Sequence, residues 1–141
     1  PNTMDLLIKN GIKYDSSLMG QDFFPYRPAP CKVNFDRGNE FGEPVDLVEM
    51  PVSWYMDDFP HSEFIMTRTG MKPQSQIFEI WKATFDYGVA NTQNGMLNVA
   101  MHPQVIGRAH NIGMLEEFIE HVLASGAWIA PFAEIYEKIE F

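Results

Sequence analysis

Apolar positions along this chain switch between a helical and an extended period, and the switches divide it into elements. Behind Lys72 and Pro73, the residues Ile77, Ile80, Trp81, Thr84 and Phe85 recur at helical spacing, which predicts a helix over about 74–87. A second stripe, Ile112, Leu115, Phe118, Ile119, Val122 and Leu123, predicts an amphipathic helix from about Asn111 to a stop at Gly126. Between them, residues 97–101 read as a strand that ends at His102 and Pro103, and 104–110 read as a loop. Residues 127–130 read as a short buried strand, and Phe132, Ile135, Tyr136 and Ile139 line a final helix.

Upstream, residues 45–54 have the partial alternation of a strand, with Pro51 pointing to an edge or a bulge, and residues 55–60 lead away from it. Residues 3–9 read as a helix with Leu6 and Leu7 inward and a stop at Gly11, followed by a short extended segment at 12–14. Pro1 and Asn2 open directly into that helix. Six prolines and glycines across 15–42 mark a long loop, the kind that shapes a site in a compact domain. Strand, helix, strand, helix, strand, helix is the order of a parallel sheet or a βα barrel.

Length and charge narrow the picture. A chain of 141 residues is one domain, yet a complete α/β barrel takes about 250. Nineteen acidic against ten basic residues, net charge −9, argue against a nucleic-acid partner. No apolar run approaches the ~20 residues of a membrane span, so no membrane partner is expected. Cys31 has no second cysteine for a disulfide or a zinc knuckle, and it sits far from any histidine that would activate a thiol. A reducing, cytoplasmic location is the mild expectation.

His102 is the outstanding candidate for chemistry, because a histidine leaving the end of a strand points where barrel active sites lie. Alternatively it only ends the strand. Asp57 and Asp58 form an acidic pair after the 45–54 segment; one member is expected to cap a turn and the other to point inward. Trp54 and Tyr55 serve equally well as a platform for a sugar or planar ring or as plain core. Arg108 has the fork for a substrate carboxylate, though a structural salt bridge is the blander role. His61 beside Asp57 and Asp58 has no familiar metal-ligand spacing, and His110 and His121 read as surface helix residues.

Three segments in order, residues 14–19 (Tyr-Asp-Ser-Ser-Leu-Met), 49–60 (Glu-Met-Pro-Val-Ser-Trp-Tyr-Met-Asp-Asp-Phe-Pro) and 101–108 (Met-His-Pro-Gln-Val-Ile-Gly-Arg), resemble the polysaccharide deacetylase (NodB-homology) family. The branch that includes allantoinase-like and peptidoglycan-deacetylase-like hydrolases is the most similar. The resemblance implies the C-terminal portion of a distorted (β/α) barrel, likewise α/β in class. It further implies hydrolysis of an amide-type C–N bond assisted by a divalent metal, zinc, held by an aspartate and two histidines. His102 matches the family's general acid, where the family has Leu-x-His and this chain has Ala100-Met101-His102. Asp58, directly before the aromatic Phe59, is the preferred match for the aspartate that orients and charges this histidine, with Asp57 the alternative.

The resemblance also implies what should lie elsewhere. No Asp-Asp-Gly and no His-x-x-x-His segment occurs here, so the expectation is no metal ligand within this chain and a metal site upstream of it. The 141 residues are then expected to be inactive alone. Two function classes stand: an amidohydrolase acting on an N-acetylated glycan or a small amide such as a cyclic ureide, and a non-catalytic binding domain on a decayed barrel. A half-barrel with open edges is also expected to form homo-oligomers.

Overall fold

In the computed structural model, which describes residues 3–65 and 68–139, helices carry most of the regular structure and strands are very short. The expectation for Pro1 and Asn2 lies outside the described residues. The order is α1 (Thr3–Lys9), β1 (Tyr14–Asp15), β2 (Cys31–Lys32), β3 (Glu40–Phe41), β4 (Val48–Glu49), a 3-10 turn (Trp54–Met56) and α2 (Asp58–Ser62). It continues through β5 (Phe64–Ile65), β6 (Arg68–Thr69), α3 (Gln74–Asn91), α4 (Pro103–Ile106), α5 (Ala109–Ala124) and α6 (Phe132–Tyr136).

The two long helices pack against each other and make the larger core. In α3 the buried residues Ile77, Trp81, Phe85 and Gly88 step by three and four, as one helix face must. Their counterparts on α5 are Asn111, Met114, Phe118 and Val122. Trp81 and Phe85 meet Phe118 edge-on, with ring centroids 5.4 and 6.2 Å apart. Met56 from the 3-10 turn and Ile106 from α4 complete this cluster. Gly88 is required where it stands: a Cβ there would lie 2.6 Å from the Phe23 ring, which the long loop lays against α3. The second cluster joins Val48, Met50 and Met96, with Tyr14 and α6 packed against it.

Sheet structure is sparser than the sequence pattern predicts. β1 and β4 pair in parallel, Tyr14 with Val48 and Asp15 with Glu49, and two antiparallel hairpin pairs join β2 to β3 and β5 to β6. The predicted strand over 45–54 shrinks to Val48 and Glu49. That over 97–102 reduces to one parallel bridge, Ala100 to Asp57, and 127–130 pairs with nothing among the described residues. Alternation describes side chains, whereas a strand needs a neighbouring backbone to take its N–H and C=O groups. Both segments stay extended along a groove of about 940 Å³ whose apolar lining includes Leu97, Val99, Met101, Trp128 and Ile129.

Other expectations are corrected in detail. The 104–110 loop contains α4, because Pro103 fits the first helical position after an extended His102. The long 15–42 loop carries the β2–β3 hairpin. Leu6 is exposed, not inward, and Ile112, Ile119 and Leu123 are exposed because the apolar arc of α5 is wider than the face α3 covers. No helix among the described residues is long and apolar enough to cross a membrane.

Candidate active site

Backbone pairing brings the acidic pair to the histidine. The Ala100 N–H donates to the Met56 carbonyl at 2.9 Å, and the Asp58 N–H donates to the Ala100 carbonyl at 3.1 Å. Downstream, α4 begins on His102, whose carbonyl accepts from the Val105 and Ile106 amides. The buried Asn111 ties α4 to α5 by donating from Nδ2 to the Val105 carbonyl at 2.9 Å. His102 therefore sits between a bridged extended segment and a short helix, with its backbone fixed on both sides.

Asp58 and His102 form a closed pair. The His102 backbone N–H donates to both Asp58 carboxylate oxygens, at 2.9 and 3.1 Å, and its Nδ1 lies 2.7 Å from Oδ1. Asp58 is 1% exposed, while the His102 side chain is 39% exposed. The hydrogen bond from Asp58 raises the imidazole above its ordinary histidine range, aided by the charges of Asp58 and Asp57 and opposed by partial burial. With Nδ1–H committed to the carboxylate, Nε2 faces outward, as an acceptor on the neutral ring and a donor on the protonated one.

Asp57 has a different position. Its Oδ1 accepts the Phe59 N–H at 2.8 Å and so caps α2, and it stands 3.6 Å from His102 Nδ1. Of the pair, one thus caps and the other points inward. Phe59 packs its ring 5.1 Å from the imidazole, a contact that sequence reasoning did not single out. Trp54 and Tyr55, on the 3-10 turn before the pair, are 66% and 65% exposed, which removes the plain-core alternative.

Among the described residues Arg108 makes no salt bridge, unlike the blander role expected for it. It is exposed, and its Nε donates to the Gln104 carbonyl at 3.0 Å. His61 is buried and donates from Nε2 to the Tyr55 carbonyl at 3.0 Å, a structural role beneath the aromatic turn. His121 is no simple surface residue: its Nε2 lies 2.6 Å from Asp86 on α3, which also pairs with Lys82. Cys31 is exposed.

Ligand atoms of Asp57, Asp58 and His102 lie within 4.8 Å of one another, a grouping that on distance alone can hold a cation. Asp58 accepts three hydrogen bonds from His102 and Asp57 Oδ1 caps α2, so a cation bound through those atoms would compete with contacts already made.

The site is thus a half-exposed histidine held by a buried aspartate, on an α/β chain with parallel pairing. The chain is homologous to the polysaccharide deacetylases and their allantoinase-like branch, the NodB-homology class. It is 32% identical over 134 residues to the peptidoglycan deacetylase of Helicobacter pylori, covering 85% of this chain and 46% of that protein. A Mycobacterium smegmatis structure titled as a polysaccharide deacetylase superposes with a TM-score of 0.70 at 30% identity, over 98% of this chain and 44% of that one. For PuuE allantoinase the TM-score is 0.65 at 25% identity, over 96% and 41%. The chain thus spans less than half the length of these relatives. No protein-family model matches it. Deacetylases and allantoinases are hydrolases of non-peptide C–N bonds.

Proposed function

We propose that this chain supplies the general acid of a deacetylase-like hydrolase acting on a non-peptide C–N bond, as one part of a single polysaccharide deacetylase-like domain. The observation that carries the reading is the Asp58–His102 pair. The carboxylate holds the imidazole by Nδ1, keeps it cationic to higher pH than a free histidine, and leaves Nε2–H for a departing amine. As the C–N bond breaks, the amine nitrogen takes that proton, and Asp58 keeps the ring from turning.

A divalent ion, zinc by the resemblance, would polarise the carbonyl from residues outside these 141. The water-activating base belongs there too. What this chain does itself is bind, orient and donate. Exposure of Trp54, Tyr55 and His102 favours a substrate that lies along the surface, an N-acetylated glycan, over a small amide such as a cyclic ureide that needs enclosure. Arg108 is exposed and is assigned to an anionic group of that substrate. The apolar groove and unpaired extended segments support homo-oligomers of the isolated chain. Composition supports a cytoplasmic setting and no nucleic-acid or membrane partner.

The deciding experiment uses the complete protein with His102→Ala and measures amine release and bound metal together. Loss of turnover with metal retained supports the acid. Loss of metal makes His102 a ligand and overturns the assignment. Full turnover leaves the pair structural and overturns the acid role, whereas no turnover in the unsubstituted protein favours the binding-domain reading.

A further inference from the structure

Besides Asp58, one other carboxylate is buried among the described residues, and the hydrolytic reading does not use it. Glu49 closes β4 at 0% exposure. Its Oε1 accepts the Ser17 and Leu18 backbone amides, each at 2.8 Å, so the side chain clasps the turn that follows β1. Its Oε2 is equally buried and meets no hydrogen-bond donor. No basic side chain pairs with Glu49 among the described residues.

The groups around Glu49 make a charge there costly. On β1 its register partner is Asp15, a second acid, and on the other side Tyr26 exchanges both backbone hydrogen bonds with it. Burial, reinforced by the Asp15 charge, pushes the Glu49 carboxyl above the usual glutamate range, and the two amide bonds only partly oppose this. An ionised carboxylate with one oxygen unpaired in such a place is costly, and a single proton on Oε2 removes that cost.

The clasp continues toward the candidate acid. Ser16 donates its hydroxyl proton to the Met50 carbonyl at 2.7 Å and accepts from Asn98 Nδ2 at 2.9 Å. A hydroxyl has one proton, so spending it on Met50 leaves only a lone pair for Asn98, which must therefore donate. Asn98 stands four residues before His102, on the segment whose Ala100 bridges to Asp57.

We propose that Glu49 is carried as an uncharged carboxylic acid, and that Glu49, Ser16 and Asn98 are positioning residues that hold the His102-bearing segment against β1 and β4. The consequence for His102 rests on the proposed acid role. The protonation of Glu49 does not, and the two fail separately.

The test follows the Ser17 and Leu18 amide protons of the 141-residue chain by NMR through a pH titration, since both donate to Glu49. They should titrate together with a midpoint clearly above the ordinary glutamate range. Asp15→Asn should move that midpoint down by removing a like charge, and Glu49→Gln should abolish the titration. If self-association broadens these signals, thermal midpoints decide: from pH 5 to 9 the native chain should lose stability relative to Glu49→Gln, the histidine titrations being common to both and cancelling in the difference. A midpoint in the ordinary range, or a Glu49→Gln variant less stable than the native chain throughout, overturns the neutral acid. For the positioning role, Asn98→Ala and Asn98→Asp should both speed amide exchange at Ala100 and His102 but not in α3. Unchanged exchange at those two amides refutes that part.

Discussion

At the scale of single residues, the proposed function turns on one hydrogen bond. His102→Ala in the complete protein should lower turnover by about two to four orders of magnitude, the usual size for a lost general acid. Asp58→Asn should lower the imidazole pKa, because its hydrogen bond is the first cause of the rise. The working form is the protonated ring, so the alkaline limb of the pH–rate profile moves to lower pH in that variant. The stability sign is the same: with a folded-state pKa raised, the pair's contribution is full below the ordinary histidine value of ~6.5 and is lost as pH rises through the raised one. A limb that stays put in Asp58→Asn and moves in Asp57→Asn would exchange the two roles. Asp57→Asn should leave α2 intact, since asparagine caps as well as aspartate, whereas Asp57→Ala should cost about 1 kcal/mol in a denaturant melt.

Within the elements, the α3–α5 contact tests how the apolar stripe is turned. Phe118, packed between Trp81 and Phe85, should cost about 3–5 kcal/mol as Phe118→Ala, while Leu123→Ala, on the exposed edge of the same stripe, should fall within about 0.5 kcal/mol. Urea unfolding of the two variants makes the comparison, and equal losses would contradict the packing. Helices were legible in the sequence because a helix satisfies its own backbone and repeats its buried face at a fixed period. The strands were less so. The pattern at 97–101 correctly marks an extended segment leading to His102, but its pairing depends on residues some forty positions away.

The whole molecule carries one more expectation. Extended segments at 97–101 and 127–130 border an apolar groove, and Trp128 and Ile129 stand exposed beside it. The purified 141-residue chain should therefore self-associate in sedimentation, take up zinc without stoichiometry, and hydrolyse neither N-acetylglucosamine oligomers nor allantoin. A compact monomer with one zinc and measurable hydrolysis would overturn both this expectation and the placement of the metal outside the chain. The length of the relatives, more than twice the span matched here, agrees with a site assembled from more polypeptide than this chain provides.

By itself the sequence determined the two long helices, the extended segment leading to the histidine, the acidic pair and, through three short segments, the kinship with deacetylases. These are properties of neighbouring residues, where local periodicity and residue type are enough. Only the tertiary structure decided that Asp58 holds His102 while Asp57 caps α2, that Trp54 and Tyr55 lie open, and that, among the described residues, Arg108 forms no salt bridge and one oxygen of the buried Glu49 meets no donor. Each of those outcomes depends on which distant backbone or side chain arrives beside a group, and adjacent aspartates with the same chemistry can be told apart only by the direction the folded chain gives them.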